Sequence, residues 1–385
     1  MASIQKRPDG KWRARYRDPD GRERAKHFAR KIDAQRWLTA IEADLLRGSY
    51  VDPDAGKITL RRFAESWLAA QTFDPSTREA VVSRLRVHIL PTLGDIELRA
   101  IRPSTVQAWL RGRQQEAAPT HVRVMLANVS AILGAAVEDG LIARNPCRTR
   151  AVKAPAIEGS RVQPWPTERV LAVADALPDR YRATAVVAAG MGLRQGEVFG
   201  LAVEDIDFLR GWVHVRQQVK IINSRLVFAP PKGQKVRDVP LAQSVTLELS
   251  AHVTKYPPVD VTLPWKTPEG EPRSVALIFS TRERKALNRT YYNPHVWKPA
   301  LVAAGVEPTR ANGMHALRHY YASVLLDAGE NIRALADYLG HADPGFTLRV
   351  YTHLMPHSED RARRAVDLAL GPHADSVRTK GSADD

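Results

Sequence analysis

The sequence predicts a multidomain, mostly helical chain. A small α+β domain comes first, an all-α domain follows, and a mainly α domain with a small antiparallel sheet closes it. Three observations carry this. The length, 385 residues, exceeds what one core ordinarily fills. Two stretches, 51–57 (VDPDAGK) and 153–166 (KAPAIEGSRVQPWP), lack periodicity and read as linkers. Elsewhere apolar residues recur at helical spacing, and strict alternation is confined to short runs.

Composition narrows the partners. Hydrophobic residues make up 44%, enough for packed cores, and the net charge is +15. That charge favours an anionic partner and argues against a small neutral substrate as the sole ligand. Residues 1–36 hold twelve Lys and Arg against five Asp and Glu. The sequence leads us to expect no stretch near the ~20 apolar residues of a spanning helix. The first thirty residues show no apolar signal-peptide core, so we expect a cytoplasmic protein with no membrane partner. A single cysteine, Cys147, excludes an internal disulfide and suits a reducing compartment. It reads as a small packing residue.

In residues 11–17 (KWRARYR), Trp12, Ala14 and Tyr16 alternate with Lys11, Arg13, Arg15 and Arg17. This is a strand with one apolar and one basic face. Residues 18–21 (DPDG) turn the chain, and 22–28 return as the hairpin partner. A helix follows, with Ala34, Trp37, Leu38, Ile41 and Leu45 on its stripe and Gly48 as its stop. The first domain therefore spans 1–50. Its basic face suits nucleic acid, and a solvated charged face is the plainer alternative.

The second domain, 58–151, is helical throughout. Leu60, Phe63, Ala64, Trp67 and Leu68 mark its first helix, and 75–90 its second. Val106, Trp109 and Leu110 follow Pro103 in the third. Val124, Leu126, Val129, Ile132, Leu133 and Val137 mark the fourth, which stops at Gly140. By itself this is a basic bundle whose charge serves solvation as readily as binding.

The third domain, 164–370, opens with Thr167 as a helix cap and Glu168 in the first turn. A small-residue helix over 180–190 leads into MGLRQGEVFGL (191–201). A tight glycine turn there sets Arg194 at a helix start, and Glu197, three residues on, shares its face. Strand-like runs at 212–218 and 226–229 precede PPKGQK (230–235) and a further run at 236–241. This places a lysine in a hairpin tip at a sheet edge.

The densest pattern is 315–351, HALRHYYASVLLDAGENIRALADYLGHADPGFTLRVY. Leu317, Tyr321, Val324, Leu325 and Ala328 form one stripe, and Gly329 stands where a glycine cap belongs. His315 and Arg318 project from one helical turn. Ile332, Leu335, Ala336 and Leu339 mark a second helix ending at Gly340, with His341 just past it. Asp343 caps a third, with Pro344 in its first position and Tyr351 about two turns in. A phenol is a poor nucleophile at its free pKa of about 10. It becomes useful when the electrophile sits among cations that stabilise developing negative charge. A phosphodiester fits, and a guanidinium matches its oxygens as a fork.

The runs HALRHYYAS, LGH and VYTH, with GLRQGEVFGL upstream, resemble the signature of the tyrosine recombinases, the phage integrase family. The likeness spans roughly 58–370 and is densest in 190–241 and 315–353. It implies the tyrosine recombinase fold and DNA strand exchange through a covalent 3′-phosphotyrosine formed by Tyr351. It implies that Arg194 and Arg318 clamp the non-bridging oxygens, that His341 bonds the same oxygens, and that Lys232 protonates the leaving 5′ oxygen. Glu197 supports them. His315 either accepts the Tyr351 proton or binds the phosphate. Lys235 rivals Lys232, because this tip lacks the Thr and Ser common in the family. No cofactor and no metal are implied, since the bond energy stays in the phosphotyrosine link.

The same resemblance reaches the other domains. Residues 1–50 loosely resemble an arm-site-binding domain, with Lys11, Arg13, Arg15 and Arg17 on DNA. Residues 58–151 resemble a core-binding domain, and the connector after them lets two domains close on a duplex. Implied partners are double-stranded DNA attachment sites, a homo-tetramer in the synaptic complex, a DNA-bending host factor and an excisionase. A last helix from Asp360 would dock on a neighbouring protomer, and 371–385 reads as a disordered tail. The implied biology is integration and excision of a phage or mobile element on a bacterial chromosome.

Other readings compete. His315 and His319 have zinc-ligand spacing, with His341, His353 and His357 downstream. The metalloprotease motif, however, needs Glu where Ala316 stands. His319 otherwise reads as a helix-packing residue, and His353 as an aid to the active turn. Tyr320, Tyr321 and Tyr338 fall at core positions. A non-catalytic DNA-binding regulator explains the charge but not the aligned site types. A topoisomerase-like enzyme, or a resolvase or invertase, shares the chemistry; the separate basic domain argues for integration.

Overall fold

The computed structural model describes residues 2–19, 21–48, 50–52, 54–157, 163–341 and 343–351, with helical residues 363, 366 and 367. The chain divides into two compact units, Met1–Gly159 and Ser160–Asp385.

The first unit holds two cores. In one, β1 (Ser3–Lys6), β2 (Trp12–Arg17) and β3 (Glu23–Phe28) form an antiparallel sheet with β2 central. Helix α1 (Lys31–Leu46) packs on it, burying Ala14 and Tyr16 against Ala34 and Leu38. The alternation in 11–17 thus foretold the inward face, while β1 is too short to show a pattern. On the outward face Glu23 lies 3.3 Å from Arg13 and 3.8 Å from Arg15. That face is partly neutralised rather than bare.

The other core is the helical bundle α2 (Leu60–Ala70), α3 (Pro75–Arg84), α4 (Leu90–Leu93), α5 (Pro103–Glu116) and α6 (Pro119–Glu138). Thr59 and Asp74 cap α2 and α3 by accepting from the backbone of Arg62 and Ser76. One expectation needs correcting here. By length and composition, α6 is apolar enough to cross a membrane. Its Val122, Met125, Val129, Ile132 and Leu133 are buried in the bundle core, which accounts for that apolarity.

The second unit runs α7 (Thr167–Ala176), α8 (Asp179–Met191), α9 (Gln195–Phe199), β4 (Ile206–Asp207), β5 (Trp212–Val215), β6 (Gln218–Ile222), β7 (Arg225–Ala229), β8 (Arg237–Pro240) and α10 (Gln243–Lys255). It continues with β9 (Val259–Pro264), β10 (Pro272–Leu277), α11 (Arg289–Tyr292), α12 (Lys298–Ala303), α13 (His315–Asp327), α14 (Ile332–Leu339) and α15 (Pro344–Tyr351). The small residues of α8 let α7, α10 and α13 all pack on it. β4, β5 and β8 form one antiparallel sheet, β6 and β7 a second, and β9 and β10 a third.

Several local expectations change. Thr167 is the first residue of α7 rather than its cap, which is Pro166, and its hydroxyl meets that of Tyr320 at 3.1 Å. Because β7 pairs with β6 while β8 pairs with β5, Lys232 lies on a connection between two sheets and not at a hairpin tip. Trp165, read as linker, is buried, stacks on Trp297 and donates to Asn312 at 3.2 Å. The hairpin of β9 and β10 was not anticipated, although Val259, Val261 and Leu263 alternate with Asp260 and Thr262. The tail, His353, His357 and most of the expected last helix lie outside the described residues.

Candidate active site

The site grows from the end of α8. Gly192 takes a left-handed conformation, φ +62°, and a Cβ there would collide with the ring of Tyr321 on α13. Glycine therefore permits both the turn and the close approach of α13. The turn delivers Arg194 to the start of α9. Glu197 accepts from the Arg194 backbone at 2.9 Å and from its guanidinium at 2.9 Å. The backbone and side chain of Arg194 are thus fixed by one carboxylate.

Glu197 is fully buried and holds a second arginine. Arg237 on β8 donates to it twice, at 3.1 and 2.7 Å, and its Nε donates to the Tyr338 carbonyl at 2.7 Å. Burial by itself would raise the Glu197 pKa. The bonds and charge of Arg237, with Arg194, hold it down at about 2, so it stays ionised. Sequence reading missed Arg237. A usable signal existed: on β8, Arg237 and Val239 face inward while Asp238 faces out.

Arg318 is 1% exposed. Its Nη1 donates to the Gly192 carbonyl at 2.7 Å, and its Nη2 to the Leu339 carbonyl and to His341 Nε2, the latter at 3.0 Å. Burial, with Arg194 next, lowers its pKa to about 9, still charged at neutral pH. Since guanidinium only donates, His341 Nε2 must be bare. His341 Nδ1 then donates to Thr347 Oγ1 at 2.7 Å. Burial and then Arg318 push the His341 pKa down to about 3. In this state His341 is an acceptor for Arg318 and offers no donor to the cleft.

A cleft of about 550 Å³ is lined by Arg194, Lys232, His315, Arg318, Gly340 and His341, among others. Lys235 is not among the lining residues: its Nζ lies 2.8 Å from Asp337 on α14 and 3.5 Å from the His341 carbonyl. Geometry therefore separates the two lysines that the sequence left in competition. The His315 pKa is lowered by burial, with Arg318, Arg194 and Lys232 adding to it.

Tyr351, near the end of the described chain, is 1% exposed. Burial pushes its phenol up to about 12, while Arg318 and Arg194 pull it the other way. Its Oη meets His319 Nδ1 at 2.7 Å. His319 is therefore more than the packing residue its helical position suggested. The structure brings five of the expected groups to one cleft, with Tyr351 within the field of both its arginines. Lys11, Arg13, Arg15 and Arg17 belong to the other unit.

A mostly helical unit with small antiparallel sheets, an arginine pair and a tyrosine beside them is the architecture of a tyrosine recombinase, an enzyme that breaks and rejoins DNA. The chain belongs to the phage integrase family, whose profile matches residues 162–357, and is a site-specific recombinase of the integrase type. Residues 2–48 match the phage integrase N-terminal domain and 60–152 the phage integrase central domain. The phiRv2 prophage integrase of Mycobacterium tuberculosis is 30% identical over 352 residues, covering 89% of each chain. The fold is similar to that of the Tn1549 transposon integrase in complex with transposon right end DNA, with TM-score 0.66 and 18% identity over 80% of this chain and 99% of that one. It is also similar to a lambda integrase tetramer bound to a Holliday junction, with TM-score 0.58 and 19% identity over 90% of this chain and 94% of that one.

Proposed function

We propose that Tyr351 attacks a scissile phosphate held in the cleft and becomes joined to the DNA 3′ end. The Tyr351 Oη–P bond forms, the P–O5′ bond breaks, and Lys232 gives the 5′ oxygen its proton. Arg194 and Arg318 take the non-bridging oxygens, where charge develops. A phosphate oxygen that captures the Arg318 N–H now held by His341 frees His341 Nε2. His341 then bonds phosphate from its other tautomer or once protonated. Attack by the 5′ oxygen of a second strand reverses the step and completes exchange. No cofactor or metal enters this scheme.

The substrate is a double-stranded attachment site. Residues 58–151 hold the core site, 164–370 carry the chemistry, and 1–50 bind separate arm sites through Lys11, Arg13, Arg15 and Arg17. Such contacts with phosphates position the protein rather than read sequence. The match of residues 2–48 to an integrase N-terminal domain favours integration over resolution or inversion. The lambda integrase relative, a tetramer on a Holliday junction, supports a tetramer for this chain too. A DNA-bending host factor and an excisionase would set direction, on the chromosome in the cytoplasm.

The observation that carries this reading is one cleft whose lining includes Arg194, Arg318, Lys232, His315 and His341, with a buried phenol in the field of both of those arginines. Tyr351→Phe should reduce the covalent protein–DNA adduct on a nicked suicide substrate to background and leave DNA binding intact. A normal adduct yield from that variant would show that the nucleophile lies elsewhere.

A further inference from the structure

Helix α13 presents two histidines one turn apart, and only one of them touches the phenol. The rings of His315 and His319 meet edge to face with centroids 4.7 Å apart. His315 lines the cleft, whereas His319 Nδ1 sits 2.7 Å from Tyr351 Oη. A hydroxyl this deeply buried needs an acceptor for its proton. Among the described residues, His319 Nδ1 is the hydrogen-bond partner it meets.

We propose that His319, rather than His315, takes the proton from Tyr351 as the phenol attacks. This rests on Tyr351 being the nucleophile. The Tyr351 O–H bond breaks and an N–H bond forms at His319 Nδ1, leaving an imidazolium. In the same step Oη bonds to phosphorus and the P–O5′ bond breaks, and the 5′ oxygen is protonated from Lys232. On rejoining, the imidazolium returns its proton to Oη.

The resting protein keeps this transfer off. Burial, then His315 and Arg318, hold the His319 pKa down at about 4, so the ring is neutral and able to accept. The phenol stands at about 12. A proton does not cross so wide a gap by itself. A phosphate between Arg194 and Arg318 changes both sides of it. Its negative charge favours the imidazolium, and bond formation at Oη makes the phenol proton acidic. The nucleophile is therefore released only when a phosphodiester occupies the cleft.

The test uses the full-length protein on a nicked suicide substrate. His319→Asn keeps an oxygen acceptor near the phenol but has no base. It should cleave roughly 10²–10⁴ slower, the usual worth of a general base. Placing 3,5-difluorotyrosine at position 351, whose more acidic phenol depends less on a base, should restore most of that loss. The same replacement should not rescue His315→Asn. DNA binding reports the fold, and His319→Gln stands in if the Asn variant binds poorly. A loss that fluorination does not restore, no loss at all, or rescue of His315→Asn each overturns the proposal. Peptide mapping of the wild-type adduct separates the two readings: attachment away from Tyr351 overturns both, and attachment at Tyr351 without rescue overturns this one alone.

Discussion

Arg194 reaches the cleft already facing a carboxylate; Arg318 reaches it facing only neutral acceptors. The Arg194 side chain is 22% exposed and tied to Glu197. The Arg318 donors go to two carbonyls and an imidazole, and no carboxylate bonds it among the described residues. Counting Arg237, three guanidinium groups surround one buried carboxylate. Burying an ion costs several kcal/mol unless it is well paired. The cluster is thus incomplete without an anion, and Arg318 is the member that an arriving phosphate would relieve most. In such a site the interactions strengthen as charge builds on the substrate, which is the condition for accelerating a reaction rather than merely binding its substrate.

The widest separation between the two should come from arginine-to-lysine changes. Lysine is a point charge and cannot reproduce a planar fork. Arg318→Lys should slow adduct formation by about 10³–10⁵, the range for an arginine that stabilises a transferring phosphoryl group. Arg194→Lys should fall at the low end of that range, because Glu197 already shares its charge. Single-turnover cleavage at saturating protein measures both. A larger loss from Arg194→Lys would invert the comparison.

The lysines offer a parallel pair. Lys232 lines the cleft, while Lys235 is engaged by Asp337. Lys232→Ala should slow cleavage by roughly 10²–10⁴, as expected for loss of a general acid. A substrate with sulfur at the 5′-bridging position needs no proton to leave and should recover most of that rate. Lys235→Ala should lose little and gain nothing from sulfur. Sulfur rescue of Lys235→Ala alone would reverse the assignment.

Arg237 tests how much the Arg194 arrangement depends on its carboxylate. It is not among the residues that line the cleft, yet it donates to both Glu197 oxygens. Arg237→Met should destabilise the fold by about 3–5 kcal/mol, the cost of breaking a buried pair from one side. Arg237→Lys should restore part of it. Denaturant midpoints measure this directly. An unchanged midpoint would mean that Arg194 alone satisfies Glu197.

These pairs also show what the chain discloses in one dimension. Gly192, Gly340 and Asp343 were legible because turns and caps are local. Arg194 and His341 stood out because each sits beside such a signal, and Arg318 because it shares a helical turn with His315 in the run that resembles the family. The Arg237 role was not, since its carboxylate lies 40 residues away and is reached only by β8 pairing in register with β5. The His319 bond to Tyr351 spans 32 residues and depends on how α15 packs. Strand β1 was missed because four residues carry too little periodicity, whereas β9 was passed over although Val259, Val261 and Leu263 alternate with Asp260 and Thr262. The α6 run was read correctly as a bundle helix, but its length and apolarity, which match those of a spanning helix, were overlooked.

The smallest effect concerns acid. Burial, with Arg318 and its neighbours adding, depresses the pKa of His315, of His319 to about 4 and of His341 to about 3, against an ordinary 6.5. The groups facing them are Arg194, Lys232, Arg237, Arg318 and Tyr351. Below the ordinary value the unfolded chain takes up protons that the folded one refuses. Stability contributed by these rings is therefore fully present above about pH 6.5 and is lost as pH falls toward about 3. Glu197, held at about 2 from 4.5, adds a further loss at the lower end of that window. Melting temperatures should drop between about pH 7.5 and about pH 5, and His341→Asn or His319→Asn should flatten the curve. A short duplex core site should flatten it too, because a phosphate beside Arg318 removes the charge that disfavours an imidazolium. A slope unchanged by DNA would mean that burial alone sets these histidines, and that the unbalanced charge of Arg318 has no part in it.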